Sequence, residues 1–295
     1  MMDRRDFLKL AGLGGAVFVM GGLSKFGYSA AAGESNGGFV FVQLSDTHWG
    51  FNDPAVNLDY AGTLRKAVAL INSWKQEPDF IVFTGDLTHT TDDPKERRER
   101  LGEFRNIVKD LKVKNLKFLA GEHDAALDAG EAYREFFVET HYSFDHKGVH
   151  FIAIDNVSDP RAVIGDAQLE WLASDLKKQD KAARIVILTH RPLFDLYPAW
   201  DWATRDGAKA IDLFMPYEDV TVLYGHIHQE HHQKTGHIAH HAARGLMYPL
   251  PVAASVPKKA PVPWDTSHPY RGLGFRRVTV ENKKGEYTLT ELPVI

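Results

Sequence analysis

The chain has 295 residues, with 35 Lys and Arg against 39 Asp and Glu for a formal net charge of −4, 44% hydrophobic residues and a mean hydropathy of −0.30. These values describe a folded globular chain with enough apolar residues for a sizeable core; they exclude disorder and collagen-like order, and leave no basic surplus for gripping a nucleic-acid polymer. With 15 His and no Cys, the chain can form neither disulfides nor thiolate metal sites, so any metal must rest on imidazole, carboxylate or amide groups.

The N-terminus reads Asp3-Arg4-Arg5-Asp6-Phe7-Leu8-Lys9, followed by a Gly-rich apolar stretch from Leu10 to Leu23 and a polar segment ending in Ala30-Ala31-Ala32. The apolar stretch is too short to span a bilayer comfortably. The Arg pair, the Phe-Leu-Lys after it, the weakly hydrophobic middle and the small-residue end resemble a twin-arginine export signal. That resemblance implies removal of residues 1–32, partnership with the twin-arginine export machinery, a periplasmic or extracellular location and no stable membrane anchor. It also implies a protein that folds, often around a metal, before transport.

From Gly38 onward no linker, repeat or composition break interrupts the chain, so residues 33–295 are expected to form a single domain. Apolar β-branched or aromatic runs predict buried strands over 39–44, 80–83, 116–119, 149–154, 185–188 and 220–223. Between the first two, Leu58, Ala61, Leu64, Val68 and Ile71 mark one face of a helix. Leu169, Leu172 and Leu176 repeat the pattern after Asp166, a candidate N-cap. Residues 276–280 and 287–292 read as strands flanking the hairpin signal Asn282-Lys283-Lys284-Gly285. The fold class is α/β, with helices covering packed sheet.

Six of these apolar runs stop in a small polar cluster. The clusters are Ser45-Asp46-Thr47-His48, Thr84-Gly85-Asp86, Gly121-Glu122-His123-Asp124, Asp155-Asn156, Thr189-His190-Arg191-Pro192 and Gly225-His226-Ile227-His228. Ligands of α/β sheets gather beyond the carboxyl ends of strands. Histidines and carboxylates at several such ends therefore point to one converging site.

Each motif alone is common, but their order is not. Asp46-x-His48, Gly85-Asp86, Gly121-Glu122-His123-Asp124, His190-x-Pro192 and Gly225-His226-x-His228 resemble the calcineurin-like metallophosphoesterase superfamily across nearly the whole mature chain. Gln168-Leu169-Glu170-Trp171-Leu172 matches a helix common in those enzymes. The resemblance implies a four-layer αββα sandwich that hydrolyses a small phosphomonoester or phosphodiester by attack of a hydroxide held on metal.

Such hydrolysis needs a nucleophile made from water near neutral pH, neutralisation of charge on phosphoryl oxygens, and a proton for the leaving alkoxide. Two divalent ions about 3.5–4 Å apart supply the first two. A carboxylate can bridge two ions and an imidazole cannot. By the resemblance, Asp86 is the bridge, Asp46, His48 and His228 complete one metal site, and Glu122, His190 and His226 complete the other. His123 matches the general acid, and Asp124 would hold its imidazole in the required tautomer. Mixed nitrogen and oxygen ligands suit two ions of manganese, iron or zinc, including a mixed ferric–divalent pair.

One position departs from the pattern. The family usually places Asn where this chain has Glu122, and the added negative charge changes the balance of a dinuclear site. It could tighten the metal pair at the cost of substrate affinity, favour a trivalent ion, or turn away and forfeit the second metal. The expectation is a retained dinuclear site with altered metal preference. The rival reading is a periplasmic metal-binding or metal-delivery protein that kept the fold and lost hydrolysis through Glu122. A hydrolase or oxidase acting on a non-phosphate ester is a third.

Five further histidines, His231, His232, His237, His240 and His241, read as a solvated loop and half-exposed strand rather than a metal-storage surface. The aromatics of residues 194–202 could form a substrate lid or pack against a helix. His89 and Asn156 are further candidates for the pocket.

Overall fold

The computed structural model describes residues 38–137, 139–281 and 287–294, so the leader and the turn at Asn282-Lys283-Lys284-Gly285 lie outside the described residues. The strand runs read from sequence form, and all but one are buried as expected, because a run apolar on both faces is stable only between two layers; Leu116–Leu119, an edge strand that carries Lys117, is mostly half-buried. β1 (Phe39–Leu44), β2 (Phe80–Thr84) and β3 (Leu116–Leu119) pair in parallel, and β10 (Gly274–Val280) and β11 (Tyr287–Pro293) add antiparallel at the β1 edge. The resulting sheet runs β11-β10-β1-β2-β3.

A second sheet runs β4-β5-β6-β7-β9-β8. It comprises β4 (Tyr142–His146), β5 (Val149–Ala153), β6 (Arg184–Leu188), β7 (Asp219–Tyr224), β8 (His231–Thr235) and β9 (Ile238–Ala242). β5, β6, β7 and β9 are parallel, whereas β4 and β8 are antiparallel edges.

The two sheets meet face to face. Phe41 stacks on Phe80 at 4.7 Å between centroids, and Phe151 of the other sheet presents its edge to both. On the outer face of the first sheet lie α1 (Thr63–Asn72) and α2 (Pro94–Val108), which bury Leu64, Val68, Ile71, Leu101, Phe104 and Ile107. α3 (Glu122–Ala125) and α4 (Glu131–Phe136) follow β3 on the same side. α5 (Asp166–Leu176) and α6 (Gly207–Phe214) cover the second sheet with Leu169, Leu172, Ile211 and Phe214. Each fully buried Leu or Phe contributes roughly 1.5–3 kcal/mol. The layers are thus helix, sheet, sheet, helix, the αββα sandwich expected.

Several local readings change. α1 begins at Thr63, and Leu58 is 62% exposed in the turns before it. Asp166 is the first residue of α5 rather than its cap, which is Gly165. Of residues 194–202, Trp200 and Trp202 are buried and pack with Tyr224 and Ile227, with Phe194, Leu196 and Tyr197 half-buried against them, so these aromatics pack on the second sheet. Among the five extra histidines, His231, His232 and His241 are half-buried on β8 and β9. His240 is instead fully buried, edge-on to Phe194 at 5.2 Å, with neither ring nitrogen hydrogen-bonded. Among the described residues no helix is long and apolar enough to cross a membrane.

Candidate metal centre

The carboxyl ends of β1, β2, β3, β6 and β7 open at the same end of the sandwich, and the loops there are tied to one another before they reach the site. Parallel pairing of β1 with β2 continues into their loops, through Asp46 N donating to Gly85 O (3.0 Å), His48 N to Asp86 O (2.9 Å) and Trp49 N to Leu87 O (3.0 Å). Gly225 N donates to His190 O (3.0 Å) and joins the ends of β7 and β6.

The turns that follow are tight enough to force unusual backbone. Asp46, His48, Asp86, His226 and His228 all have positive φ, between 39° and 66°. This left-handed region is uncommon for residues other than Gly, although Asp and His tolerate it better than most. Its concentration at five candidate ligands marks a site where local strain is held by surrounding structure. Two glycines make room. A Cβ on Gly121 would lie 2.0 Å from Asp86 Oδ1, and one on Gly85, whose φ is +93°, would lie 2.3 Å from His190 Nδ1.

Among the described residues four overlapping donor groups result, two of them, His48-His89-His123 and Asp86-Glu122-His123, taking in His123, and the other two adjoining each other. Asp46, His48, Asp86 and His228 each offer a ligand atom within 4.8 Å of the others, and all four are buried; Glu122, His190 and His226 form a second such group. Asp86 lies between them, its Oδ2 3.5 Å from His48 Nε2 and 3.4 Å from His190 Nε2. Asp46 Oδ1 is 3.3 Å from His228 Nε2 and 4.0 Å from His190 Nε2. Both Asp46 oxygens also accept from His226 N, at 3.1 Å each. The sequence-derived ligand residues are therefore all brought together, in the same two groups.

Outer partners fix the imidazoles. His190 donates from Nδ1 to Thr84 O (2.7 Å), and His228 donates from Nδ1 to Tyr248 O (2.6 Å), leaving Nε2 of each toward the carboxylates. His48 turns Nδ1 toward Nδ1 of His89 at 3.5 Å. Burial, with His123 and Arg100 adding to it, pushes the His89 imidazole down to about 4, so His89 is neutral near pH 7.

Glu122 does not turn away. Its Oε1 lies 2.8 Å from His226 Nδ1 and its Oε2 lies 2.9 Å from His190 Nε2. Arg191 approaches its Oε1 at 4.0 Å, held by the carbonyls of Ala203 and Asp201. Burial works to raise the Glu122 carboxyl, but His226 and His190 outweigh it and hold it well below the usual range. Burial opposes charge on His190 too, yet Asp86 and Glu122 raise it well above an ordinary imidazole. The His48 imidazole moves the other way, pushed well down by burial and by His123, His228 and His89.

The donor set fits metal. Buried His226 Nε2 makes no hydrogen bond, although buried polar atoms normally find a partner. Imidazole nitrogens and carboxylate oxygens converging without sulfur suit manganese, iron or zinc.

His123 sits at the rim with a quarter of its side chain exposed. Its Nε2 is 3.9 Å from Asp86 Oδ2, and its ring is perpendicular to His48 at 4.6 Å between centroids. Its expected partner is wrong. Among the described residues Asp124 makes no hydrogen bond to His123. Asp124 Oδ1 accepts from the N–H and hydroxyl of Thr88 (2.8 and 2.9 Å), and Oδ2 from the N–H groups of Leu87 and Gly121 (2.9 Å each). The side chain points back under the loop, because four donors converge there. Thr90 N–H donates to His123 Nδ1 (3.1 Å) and thereby places the ring proton on Nε2, toward the site.

Asn156 is buried but serves structure, donating to Arg191 O (2.9 Å) and Thr204 Oγ1 (2.7 Å). Tyr248 escaped the sequence reading. It is buried and its ring stacks on His48 and His228, at 4.9 and 4.6 Å between centroids. No motif marks it, since it reaches His48 from 200 residues away.

Comparison with known proteins follows the same lines. The family described as calcineurin-like phosphoesterase matches residues 39–230. A protein of Rhodococcus erythropolis named a probable cyclic nucleotide phosphodiesterase is 27% identical over 201 residues, 63% of this chain and 64% of that protein's length. One from Arcobacter nitrofigilis, named a probable glycerophosphodiester phosphodiesterase, is 26% identical over 202 residues, 64% of this chain and 72% of the other. A dimetal phosphatase of Danio rerio superposes with a TM-score of 0.58 at 14% identity, covering 87% of this chain and 98% of that one. The last likeness is one of fold.

Proposed function

The chain belongs to the calcineurin-like phosphoesterase family, and from that premise we propose that it is a metal-dependent phosphoric ester hydrolase that acts on a small phosphodiester after export. The observation that carries this reading is the position of Asp86, one carboxylate oxygen nearly equidistant from His48 and His190 at 3.5 and 3.4 Å. Asp46, His48 and His228 would hold one ion with Asp86, and Glu122, His190 and His226 a second. When bound, the ions supply an activated water and neutralise phosphoryl charge.

The chain's own residues do the rest. His123 presents Nε2 to the rim and is placed to pass a proton to the leaving oxygen. The names carried by the Rhodococcus and Arcobacter proteins favour a diester. The leader of residues 1–32 supports twin-arginine export to the periplasm or beyond, with residues 33–295 as the working domain.

The test is metal analysis of the protein after loading with manganese, iron or zinc, followed by assays on bis(p-nitrophenyl) phosphate and p-nitrophenyl phosphate. Two ions per chain, faster diester hydrolysis and loss of turnover in His123→Ala are expected. Retained metals without His123-dependent turnover would establish a metal-binding protein instead. Replacement of Arg4 and Arg5 by Lys should leave the protein in the cytoplasm; unchanged export would remove the twin-arginine assignment.

A further inference from the structure

The loop that follows β9 brings a phenol into the metal centre. Leu246 N and Met247 N donate to Asp46 O, at 3.2 Å each, so the chain is anchored to a candidate ligand residue immediately before Tyr248. Tyr248 then closes over the first donor group in three ways. Its carbonyl accepts from His228 Nδ1 at 2.6 Å, its ring lies within 24° and 25° of parallel to His48 and His228, and its hydroxyl reaches His48 Nε2 at 3.4 Å. Phe51 packs against the ring at 5.0 Å. The side chain is 7% exposed.

The hydroxyl contact is the informative one. His48 Nε2 is the nitrogen that faces Asp86 and His228, at 3.5 and 3.1 Å, and so is the one that would ligate a cation. It cannot ligate a cation and keep its hydrogen bond with the Tyr248 hydroxyl at once. Filling the site therefore strips the buried hydroxyl of its partner, which is unfavourable unless another takes its place. A donor released at that place needs an acceptor, and a phosphoryl oxygen of the substrate supplies one.

We propose that Tyr248 is a catalytic residue whose hydroxyl donates a hydrogen bond to a non-bridging phosphoryl oxygen of the phosphate ester, a role that rests on the dinuclear reading above. A neutral donor adds no cation to the site, yet strengthens as charge accumulates on that oxygen. Its contribution therefore falls on kcat rather than on binding. The ring stack and the carbonyl contact, in contrast, position His48 and His228, and both survive removal of the hydroxyl alone.

Tyr248→Phe separates these roles in the metal-loaded full-length protein. The expected result is a fall in kcat on the order of 10²-fold, with two ions per chain, KM and Tm unchanged. Because the hydrogen bond is to a non-bridging oxygen, the factor should be the same for a p-nitrophenyl and an alkyl leaving group, while the effect of His123→Ala should grow with the leaving-group pKa. Wild-type kcat in Tyr248→Phe overturns the proposal. Loss of an ion overturns it too, by making the phenol a ligand, and so does a Tyr248→Phe effect that grows with leaving-group pKa. A wild-type protein that binds two ions but hydrolyses neither ester defeats the hydrolase reading itself, a result distinct from all of these.

Discussion

Asp124 Oδ1 accepts two hydrogen bonds from Thr88, one from its backbone N–H at 2.8 Å and one from its hydroxyl at 2.9 Å. The carboxylate next in sequence to His123 thus braces the loop after β2 from beneath, and that loop in turn presents Thr90 N–H to His123. Asp124→Asn replaces an acceptor with a donor against converging N–H groups. We expect a loss of about 2–4 kcal/mol in stability and a fall in kcat, with the pH–rate profile keeping its shape. A profile whose alkaline limb moves would instead restore Asp124 to direct contact with His123.

Gly121 is the point of closest approach to Asp86. An added Cβ would lie 2.0 Å from Asp86 Oδ1 and 2.1 Å from its backbone nitrogen, so the carboxylate between the two donor groups must move. Gly121→Ala should weaken both metal-binding steps by about tenfold or more, by analogy with the loss of a ligand's supporting contacts. Chelator competition measures each step. Two ions held with wild-type affinity would show that Asp86 can shift without consequence.

The contacts of Glu122 with both His190 and His226 lead to a prediction about charge. Glu122→Asn removes a negative charge from the second donor group only. The second ion should be held less tightly, the first should be unaffected, and KM for an anionic diester should fall. Equilibrium dialysis with manganese, zinc and ferric iron, alongside diester kinetics, reads all three. If stoichiometry, metal preference and kinetics are all unchanged, Glu122 is not a ligand.

His240 gives a pH dependence remote from the site. Burial pushes its imidazole down to about 4, against about 6.5 in an unfolded chain. Between those values the unfolded state binds the proton and the folded state does not. The folded state thus has its full stability above about pH 6.5 and loses it as pH falls toward 4, by at most roughly 3 kcal/mol from this residue. His240→Leu also removes two unpaired nitrogens from an apolar setting beside Phe194. Urea unfolding between pH 7 and 4 should show a flatter stability curve for the variant. Parallel curves would mean that His240 finds a partner on protonation.

The site was largely legible because its residues sit at the ends of apolar runs. Asp46, His48, Asp86, His190, His226 and His228 each follow a strand that its own residues specify. Glu122 was legible as a position, but its inward direction depended on two imidazoles from the other sheet. What escaped was set by contacts distant in sequence. Asp124 adjoins His123 in the chain, yet its partners are mainly on the β2 loop; Tyr248 and Trp202 take their roles from residues tens to hundreds of positions away. α2 was missed because its apolar stripe of Leu101, Phe104 and Ile107 is hidden among charges, although Asp93 caps it by accepting from Lys95 N at 2.8 Å.

The donor groups straddle the seam of the sandwich. Asp46, His48, Asp86 and Glu122 come from loops of the β1, β2 and β3 sheet, while His190, His226 and His228 come from loops of the other. Each of the two adjoining groups mixes residues of both sheets. A cation in the first would therefore rivet the sheets and close a chain loop from Asp46 to His228, and one in the second a loop from Glu122 to His226, in a protein that has no cysteine with which to staple itself. Chelation would undo the fastening at one end of the sandwich while leaving the aromatic packing of Phe41, Phe80 and Phe151 to resist sliding elsewhere.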